Sequence, residues 1–447
     1  MKLTRLAPIV QGECLGGDAS FTQISIDTRT LQPGDLYWAI RGEQFDGHEF
    51  VAQAKAQGAV GAVVSQSVTQ ADFPIIQVVD TVQALGDYAH HHRQQFSLPI
   101  IALTGSCGKT TTKTLIASIL QQQGPALATP GNFNNAIGVP LTLLQLCAEH
   151  RYAVIELGAN HMGEIAYTAG LVHPQVALIT NIGPAHIEGF GSEQGVAQAK
   201  SEIYQSLSAA GIAVLNADEP YAKQWQMQLP TSRVITFGVE QPANITAKCA
   251  AVDEVGCVTM TVTCFDTSFD VALPLPGRHN MYNALAAIAA CVAIDIPLDV
   301  IKQGLQQVNS VKGRLQAHQH RSGARLIDDT YNANPRSVAA ALHYMVDLPG
   351  TQKILVLGDF GELGEHTQQY HQQIGELARE LAIDAVFTCG QHSQHSSQAF
   401  GENGQHFDDQ STLSTALIKR LTAETVILFK GSRSSQMENV LNAVMQQ

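Results

Sequence analysis

Short apolar runs separated by turn residues open the chain: Ile24-Ser25-Ile26, Leu36 to Ile40, Ala59 to Val64 and Ile75 to Val79, with turns such as Gln32-Pro33-Gly34-Asp35 between them. Runs of this length bounded by Gly, Pro and Asp predict strands, and their spacing predicts a small α/β unit. A helical pattern from Thr81 to Gln95 leads to the apolar run Ile100-Ile101-Ala102-Leu103, and a second helix-like stretch continues to Leu120. Strands at Tyr152 to Leu157, Val176 to Thr180 and Ile212 to Asn216 then alternate with helical segments, the rhythm of a parallel, helix-covered sheet. Residues 243–273 alternate Val, Thr, Met and Phe with polar positions, which predicts an antiparallel patch, and the alanine-rich stretch Asn280 to Ile294 reads as a helix. From Lys312 onward, Lys353 to Asp359, Ala385 to Cys389 and Thr425 to Lys430 repeat strand-then-helix, a second, smaller Rossmann-like sheet whose ligands belong at the strands' carboxyl ends. No internal repeat interrupts this order.

Composition narrows the class. A chain of 447 residues fits about three domains, and 45% apolar against 15% charged residues is ample for buried cores. The net charge of −13, with no run of Lys or Arg, argues against a nucleic-acid partner. No apolar stretch reaches the length of a membrane span, and the start, Met1-Lys2-Leu3-Thr4-Arg5, does not read as a signal peptide. The eight cysteines show neither a C-x-x-C pair nor metal spacing, and read as reduced thiols of a cytoplasmic protein.

The segment with the most chemistry is Thr104-Gly105-Ser106-Cys107-Gly108-Lys109-Thr110-Thr111. Strand, glycine loop, Lys-Thr, helix is the layout of a phosphate cradle: small residues let backbone N–H groups close on phosphate oxygens at a helix start. Lys109 would reach the β- and γ-phosphates and Thr110 would hold Mg²⁺. The loop is a variant, since Leu103 stands where the general pattern has its first glycine; an ordinary Gly-Ser turn before an amphipathic helix is the plain alternative. Glu156, ending an apolar strand, is a hard-oxygen candidate for the same ion. His186, taken alone, is more often structural, and Lys200, alone on a helix, reads as a surface charge. Gly131-Asn132-Phe133-Asn134-Asn135 offers amides that could grip a sugar or simply make turns. Asp328 to Pro335 and Lys430-Gly431-Ser432-Arg433 concentrate polar and cationic groups at two further strand ends.

Together these segments closely resemble the Mur ligase family of peptidoglycan-precursor amide ligases, over essentially the whole chain. Within it they resemble the branch that appends D-alanyl-D-alanine. Ser25-Ile26-Asp27-Thr28-Arg29 and Gly42 to His48 look like its N-terminal substrate motifs, and a glycine loop lacking the leading Gly is the form that family uses. Glu156 to Ile165, Gly277-Arg278-His279-Asn280, Asn283 to Ala287, Asp329 to Asn334, Gly358-Asp359 with Glu362-Leu363-Gly364, and Lys430 to Arg433 complete an ordered set.

The resemblance implies an α/β protein of three domains: a UDP-sugar-binding unit over 1–82, a central P-loop ATPase with a parallel sheet over 83–312, and a Rossmann-like unit over 313–447. It implies ATP and two Mg²⁺, with Thr110, Glu156, His186 and a CO₂-derived carbamate on Lys200 as ligands. Lys109, Lys200, His186 and Arg314 are the expected catalytic set. Thr104 to Thr111, Asn280, Asn283, Arg314 and Asp329 would bind the nucleotide. Ser25, Thr28, Arg29, Asp46, Gly47, His48, Asn134 and Asn135 would face the UDP-sugar. Tyr331, Asn332, Asn334, Lys430, Ser432 and Arg433 would face the peptide and the incoming dipeptide. The implied partners are UDP-MurNAc-tripeptide and D-Ala-D-Ala, with no nucleic acid, no membrane insertion, and a monomer in the cytoplasm. A sibling ligase adding diaminopimelate or lysine, folylpolyglutamate synthase, and a nucleotide-controlled binding protein without ligase chemistry are the competing readings.

Overall fold

The computed structural model describes residues 1–42, 45–67, 73–231 and 233–447; Glu43 and Gln44 of the N-terminal motif lie outside the described residues. The chain divides into two compact units: one of Met1–Leu98, Thr129–His150 and Gly170–Val172, the other of Pro99–Ala128, Arg151–Ala169 and His173–Gln447.

In the first unit a five-stranded sheet runs in the order Glu13–Leu15, Ile75–Gln77, Gly61–Val64, Leu36–Trp38, Ile24–Ser25. All its neighbours are parallel except the first pair. Helix Thr81–Arg93 starts where the Asp80 carboxylate accepts from Val82 N and Gln83 N, satisfying two donors that a helix start leaves open. Its Ala84 and Leu85 pack with Leu36, Trp38, Val63 and Ile76. The Trp38 indole donates to Thr81 O at 2.8 Å and its ring stacks on Tyr88. The boundary expected at 82/83 falls inside this helix. Helix Gly138–Leu143, from the middle of the sequence, lies in the same unit and packs against Thr81–Arg93.

The second unit holds two sheets. Nine strands run Thr267–Pro276, Cys257–Cys264, Ile245–Val252, Val234–Gly238, Ile212–Asn216, Val176–Ile179, Ile100–Thr104, Tyr152–Glu156, Ala126–Ala128. The last seven are parallel, and the first three form the antiparallel meander expected at 243–273. Ile100–Thr104 is wholly buried, because a central parallel strand is covered on both faces and so reads as an unbroken apolar run. The buried Leu115, Ile116, Ile119 and Leu120 of helix Lys109–Gln121 share a core with the alanine-rich helix His279–Val292, whose small side chains permit a close approach.

The second sheet orders Gln316–Gln319, Arg325–Asp329, Thr425–Lys430, Gln352–Leu357, Ala385–Cys389 and Gly404–Phe407, parallel except at its first pair. Asp329 and Lys430 are register partners at its carboxyl edge. In both sheets of this unit most of the singled-out residues therefore stand at or just after strand ends, while Lys200 and Asn283 lie within helices.

Candidate active site

Strand Ile100–Thr104 lies between Val176–Ile179 and Tyr152–Glu156. The glycine loop, the Thr180–His186 segment and Glu156 thus leave the sheet at one edge. Gly105 and Gly108 both have positive φ, +150° and +79°. A Cβ at Gly105 would collide with Thr180 Oγ1, and one at Gly108 with Asn283 Oδ1. Both positions therefore need glycine on conformational and on packing grounds.

The loop is braced from one side. Ser106 N donates to Asn181 O and Cys107 N to Asn181 Oδ1, each at 2.9 Å. Thr180 Oγ1 and Asn181 Nδ2 donate to Cys107 O at 2.6 and 3.0 Å, and Gly183 N donates to Ser106 Oγ at 3.0 Å. Helix Lys109–Gln121 then begins, and Lys109 Nζ donates to Gly105 O at 2.7 Å. Burial lowers the Lys109 pKa, opposed by the charge of Glu156. Thr110 and Thr111 are half-buried in the first turn, and Thr104 is buried at the strand end.

Glu156 is 1% exposed and lies 3.4 Å from Lys113 Nζ, one helical turn beyond Lys109. Lys113 is also buried, and desolvation lowers its pKa against the pull of Glu156. Removing one member of a buried ion pair leaves an uncompensated charge. Lys113→Met is accordingly expected to lower the unfolding free energy by about 3 kcal/mol in urea titrations, with part recovered in Lys113→Met/Glu156→Gln. Equal midpoints for Lys113→Met and the parent would show that the pair carries no stability. No sequence motif singled out this lysine; its place one turn after Lys109, on the same helix, was the signal that could have found it.

Lys200 sits inside helix Glu193–Gln205 at 1% exposure, so the surface-charge reading of a lone helical lysine does not hold. Its ammonium lies 5.9 Å from the centre of the Phe190 ring. Burial first, then the charge of Lys109, pushes its pKa well below the ordinary lysine range. His186 caps the short helix Ile187–Phe190 in a left-handed conformation, φ 57°, and pairs with the Glu362 carboxylate from the C-terminal sheet. That bond, more than burial opposes, holds Glu362 below the usual carboxylate range. Glu362 is also left-handed, φ 62°, and its carbonyl accepts from Glu188 N at 3.2 Å.

Among the described residues no group of three or more His, Cys, Asp or Glu is placed to hold a metal ion alone. The hydroxyl of Thr110 and the buried carboxylate of Glu156 fit Mg²⁺, whose remaining ligands would be phosphate oxygens and water. The bare Lys200 amine does not fit such a hard cation, whereas a carbamate on it would.

Asn280 Nδ2 donates to Pro276 O and its Oδ1 accepts from Asn283 Nδ2, both at 2.7 Å, while Thr112 Oγ1 donates to Asn283 Oδ1 at 3.3 Å. This chain of amides stands against Gly108. In the C-terminal sheet the Arg314 guanidinium lies 4.3 Å from the centre of the Tyr331 ring. Buried Lys430 donates to Asp329 Oδ2 at 2.5 Å and to Asn332 O at 3.0 Å, so its ammonium ties the 329–332 turn. Asn332 Oδ1 accepts from Ala333 N. Asn334 caps helix Pro335–Asp347 in a reciprocal box with Ser337, and its Oδ1 accepts from Cys107 Sγ at 3.2 Å, linking the glycine loop to the C-terminal sheet. Ser432 Oγ lies 3.0 Å from Ser434 Oγ, and Arg433 pairs with Glu438.

The N-terminal candidates form their own cluster in the first unit. Ser25 Oγ donates to Asp27 O, exposed Arg29 pairs with Asp27 at 2.6 Å, and Thr28 is buried. Gly47 N donates to Ile40 O. Asp46 Oδ1 accepts from His48 N and from the ring Nδ1, contacts that hold its carboxyl below the ordinary range. His48 Nε2 accepts from Ser65 N at 2.9 Å, which places the ring proton on Nδ1. Asn135 Oδ1 accepts from Gly138 N at 2.8 Å, and Asn134 stands beside it in the loop.

Three family models cover most of the chain: the Mur ligase middle domain over 103–291, the Mur ligase glutamate ligase domain over 313–433, and the Mur ligase family catalytic domain over 20–93. The chain belongs to the Mur ligase family. Among curated members it is 45% identical over 448 residues to the UDP-N-acetylmuramoyl-tripeptide–D-alanyl-D-alanine ligase of Escherichia coli K12, covering 99% of this chain and 98% of that one. It is 40% identical to the Haemophilus influenzae protein of the same name, over 99% and 97% of the two chains. A crystal structure of MurF from Acinetobacter baumannii matches with a TM-score of 0.93 at 36% identity, over 99% of this chain and 98% of that one. MurF of Thermotoga maritima in complex with ADP matches at 0.85 and 27% identity, over 95% and 97%. The Mur ligase middle-domain match spans the glycine loop, Glu156, His186, Lys200 and Asn280.

Proposed function

We propose that this Mur ligase joins D-alanyl-D-alanine to UDP-MurNAc-tripeptide at the expense of ATP, yielding UDP-MurNAc-pentapeptide, ADP and phosphate. One observation carries the reading. A glycine loop built for phosphate stands at the same sheet edge as a buried acid and a buried lysine of strongly lowered pKa, in a chain 45% identical over its length to a ligase of that name.

An amide does not form from a carboxylate and an amine in water without activation. The tripeptide's terminal carboxylate attacks the γ-phosphorus of ATP; the bond to the β-bridging oxygen breaks, and an acyl phosphate and ADP result. The dipeptide amine then adds to the acyl carbon, loses a proton, and phosphate leaves. Two anions must meet in the first step. Lys109, at the start of its helix, neutralises charge on the transferred group. Thr110 and Glu156 would hold one Mg²⁺, and His186 with a carbamylated Lys200 a second; such ions would supply Lewis-acid stabilisation of phosphoryl and carboxyl oxygens. The lowered Lys200 pKa favours the neutral amine, the form that adds to CO₂ with loss of a proton and turns a cation into an anionic oxygen ligand. Asn280 and Asn283 face the base, Arg314 the phosphates and Asp329 the ribose. Ser25, Thr28, Arg29, Asp46, Gly47, His48, Asn134 and Asn135 take the UDP-sugar, and Tyr331, Asn332, Asn334, Lys430, Ser432 and Arg433 the peptide and dipeptide. We place the enzyme in the cytoplasm as a monomer; its eight cysteines are all free thiols, which suits a reducing compartment.

The test is phosphate release with ATP, Mg²⁺ and UDP-MurNAc-tripeptide, with and without D-Ala-D-Ala. Release that needs both substrates, with the pentapeptide mass appearing, is the expected result. Release with single amino acids in place of the dipeptide would assign a sibling activity instead.

A further inference from the structure

Beside the Cys107–Asn334 and His186–Glu362 contacts, the C-terminal part meets the edge of the central sheet through an arginine that neither motif nor spacing singled out. Arg336 is the second residue of helix Pro335–Asp347. Its guanidinium spans two acceptors of the central part: one nitrogen donates to the Ile182 carbonyl, the other to Glu219 Oε1 at 3.1 Å. Glu219 is buried at 5% exposure. Burial raises its pKa, while Arg336 and a hydrogen bond from the Ile182 backbone pull it back down. Arg336 thus engages the Ile182 carbonyl and the Glu219 carboxylate at once. Beside them, Gly183 leaves the space that the Arg336 stem fills: a Cβ there would come within 2.9 Å of Arg336 Cδ.

The segment so held is the one that braces the glycine loop. Thr180 and Asn181, just before Ile182, make the bonds to Ser106 and Cys107, and Gly183, just after it, exchanges hydrogen bonds with Ser106 Oγ. His186 follows three residues later. The fork geometry of a guanidinium suits this task, since one planar group can hold a carboxylate and a neighbouring carbonyl at once.

We infer that Arg336, with Glu219, is a positioning residue for the ATP site: docked on Ile182, it fixes the 180–186 segment and through it the phosphate-binding loop. The inference rests on the nucleotide reading above. It goes further in making nucleotide affinity depend on a side chain of helix Pro335–Asp347 whose own bonds are to Ile182 O and Glu219.

The test is a set of full-length variants, Arg336→Met, Arg336→Lys, Glu219→Gln and Arg336→Met/Glu219→Gln, read by ADP calorimetry and by steady-state kinetics. Arg336→Met should weaken ADP binding and raise KM for ATP by about tenfold, the scale of one charge-assisted hydrogen bond, with KM for D-Ala-D-Ala within twofold of the parent. Arg336→Lys, which keeps the charge but not the fork, should fall between. The double variant should be no weaker than Arg336→Met, because the two residues act as one unit. Unchanged ADP affinity in a folded Arg336→Met protein, or equal losses for ATP and dipeptide, would overturn the inference. If the parent itself binds ADP yet ligates nothing, the activity reading fails while the positioning role is still decided by the binding data.

Discussion

Lys109→Ala is expected to abolish ligation while leaving the fold intact. The side chain opens the helix that follows the glycine loop and donates its ammonium to Gly105 O. In that position it already reaches back across the glycine loop. Removing one preorganised group that meets developing charge costs ~10²–10³ in rate. The structural cost is small: one hydrogen bond, about 1 kcal/mol, against alanine's favourable helix propensity. The check is the turnover number beside a thermal unfolding curve. Near-normal turnover in a folded variant would remove the phosphate role from this loop.

Lys200→Ala is the second large effect, a loss of activity of about 10²-fold or more. A buried lysine beside the cationic Lys109 is a poor place for an ammonium, and its pKa is driven down for that reason. Such a group is either an expensive structural amine or one that reacts. If it reacts with CO₂, two results follow. The parent incubated with ¹³C-bicarbonate shows a carbamate resonance that Lys200→Ala lacks, and added bicarbonate does not restore the variant. Lys200→Arg, which keeps the cation and cannot form the carbamate, should be as inactive as Lys200→Ala. Activity in Lys200→Ala equal to the parent would return this residue to simple packing.

Much of the architecture was legible in the chain because it rests on local periodicity. The strands at Tyr152–Glu156, Val176–Ile179 and Ile212–Asn216 lie within a residue of their expected bounds. Val176–Ile179 and Ile212–Asn216 are buried throughout and Tyr152–Glu156 beyond its first residue, as central parallel strands require. The antiparallel meander at 245–276 announced itself by alternation, as a sheet with one solvated face does. The first unit was harder. Its helix Thr81–Arg93 continues past the expected boundary, and 129–150 joins it after the intervening segment 99–128 by packing that no local pattern encodes.

For the site, the sequence by itself determined the chemical inventory: a glycine loop with Lys109 and Thr110, an acid at the end of a neighbouring strand, and polar clusters at the ends of Arg325–Asp329 and Thr425–Lys430. Side-chain type and position along a strand or helix are properties of the chain itself. Tertiary structure alone decided which charges meet. It set Lys113 against Glu156, Glu362 against His186 and Arg336 against Glu219, and it buried Lys200. The physical reason is that Coulomb attraction and desolvation depend on distance through space and on exclusion of water. Both are set by which helices and loops cover a sheet edge, and residues far apart in the chain supply that cover.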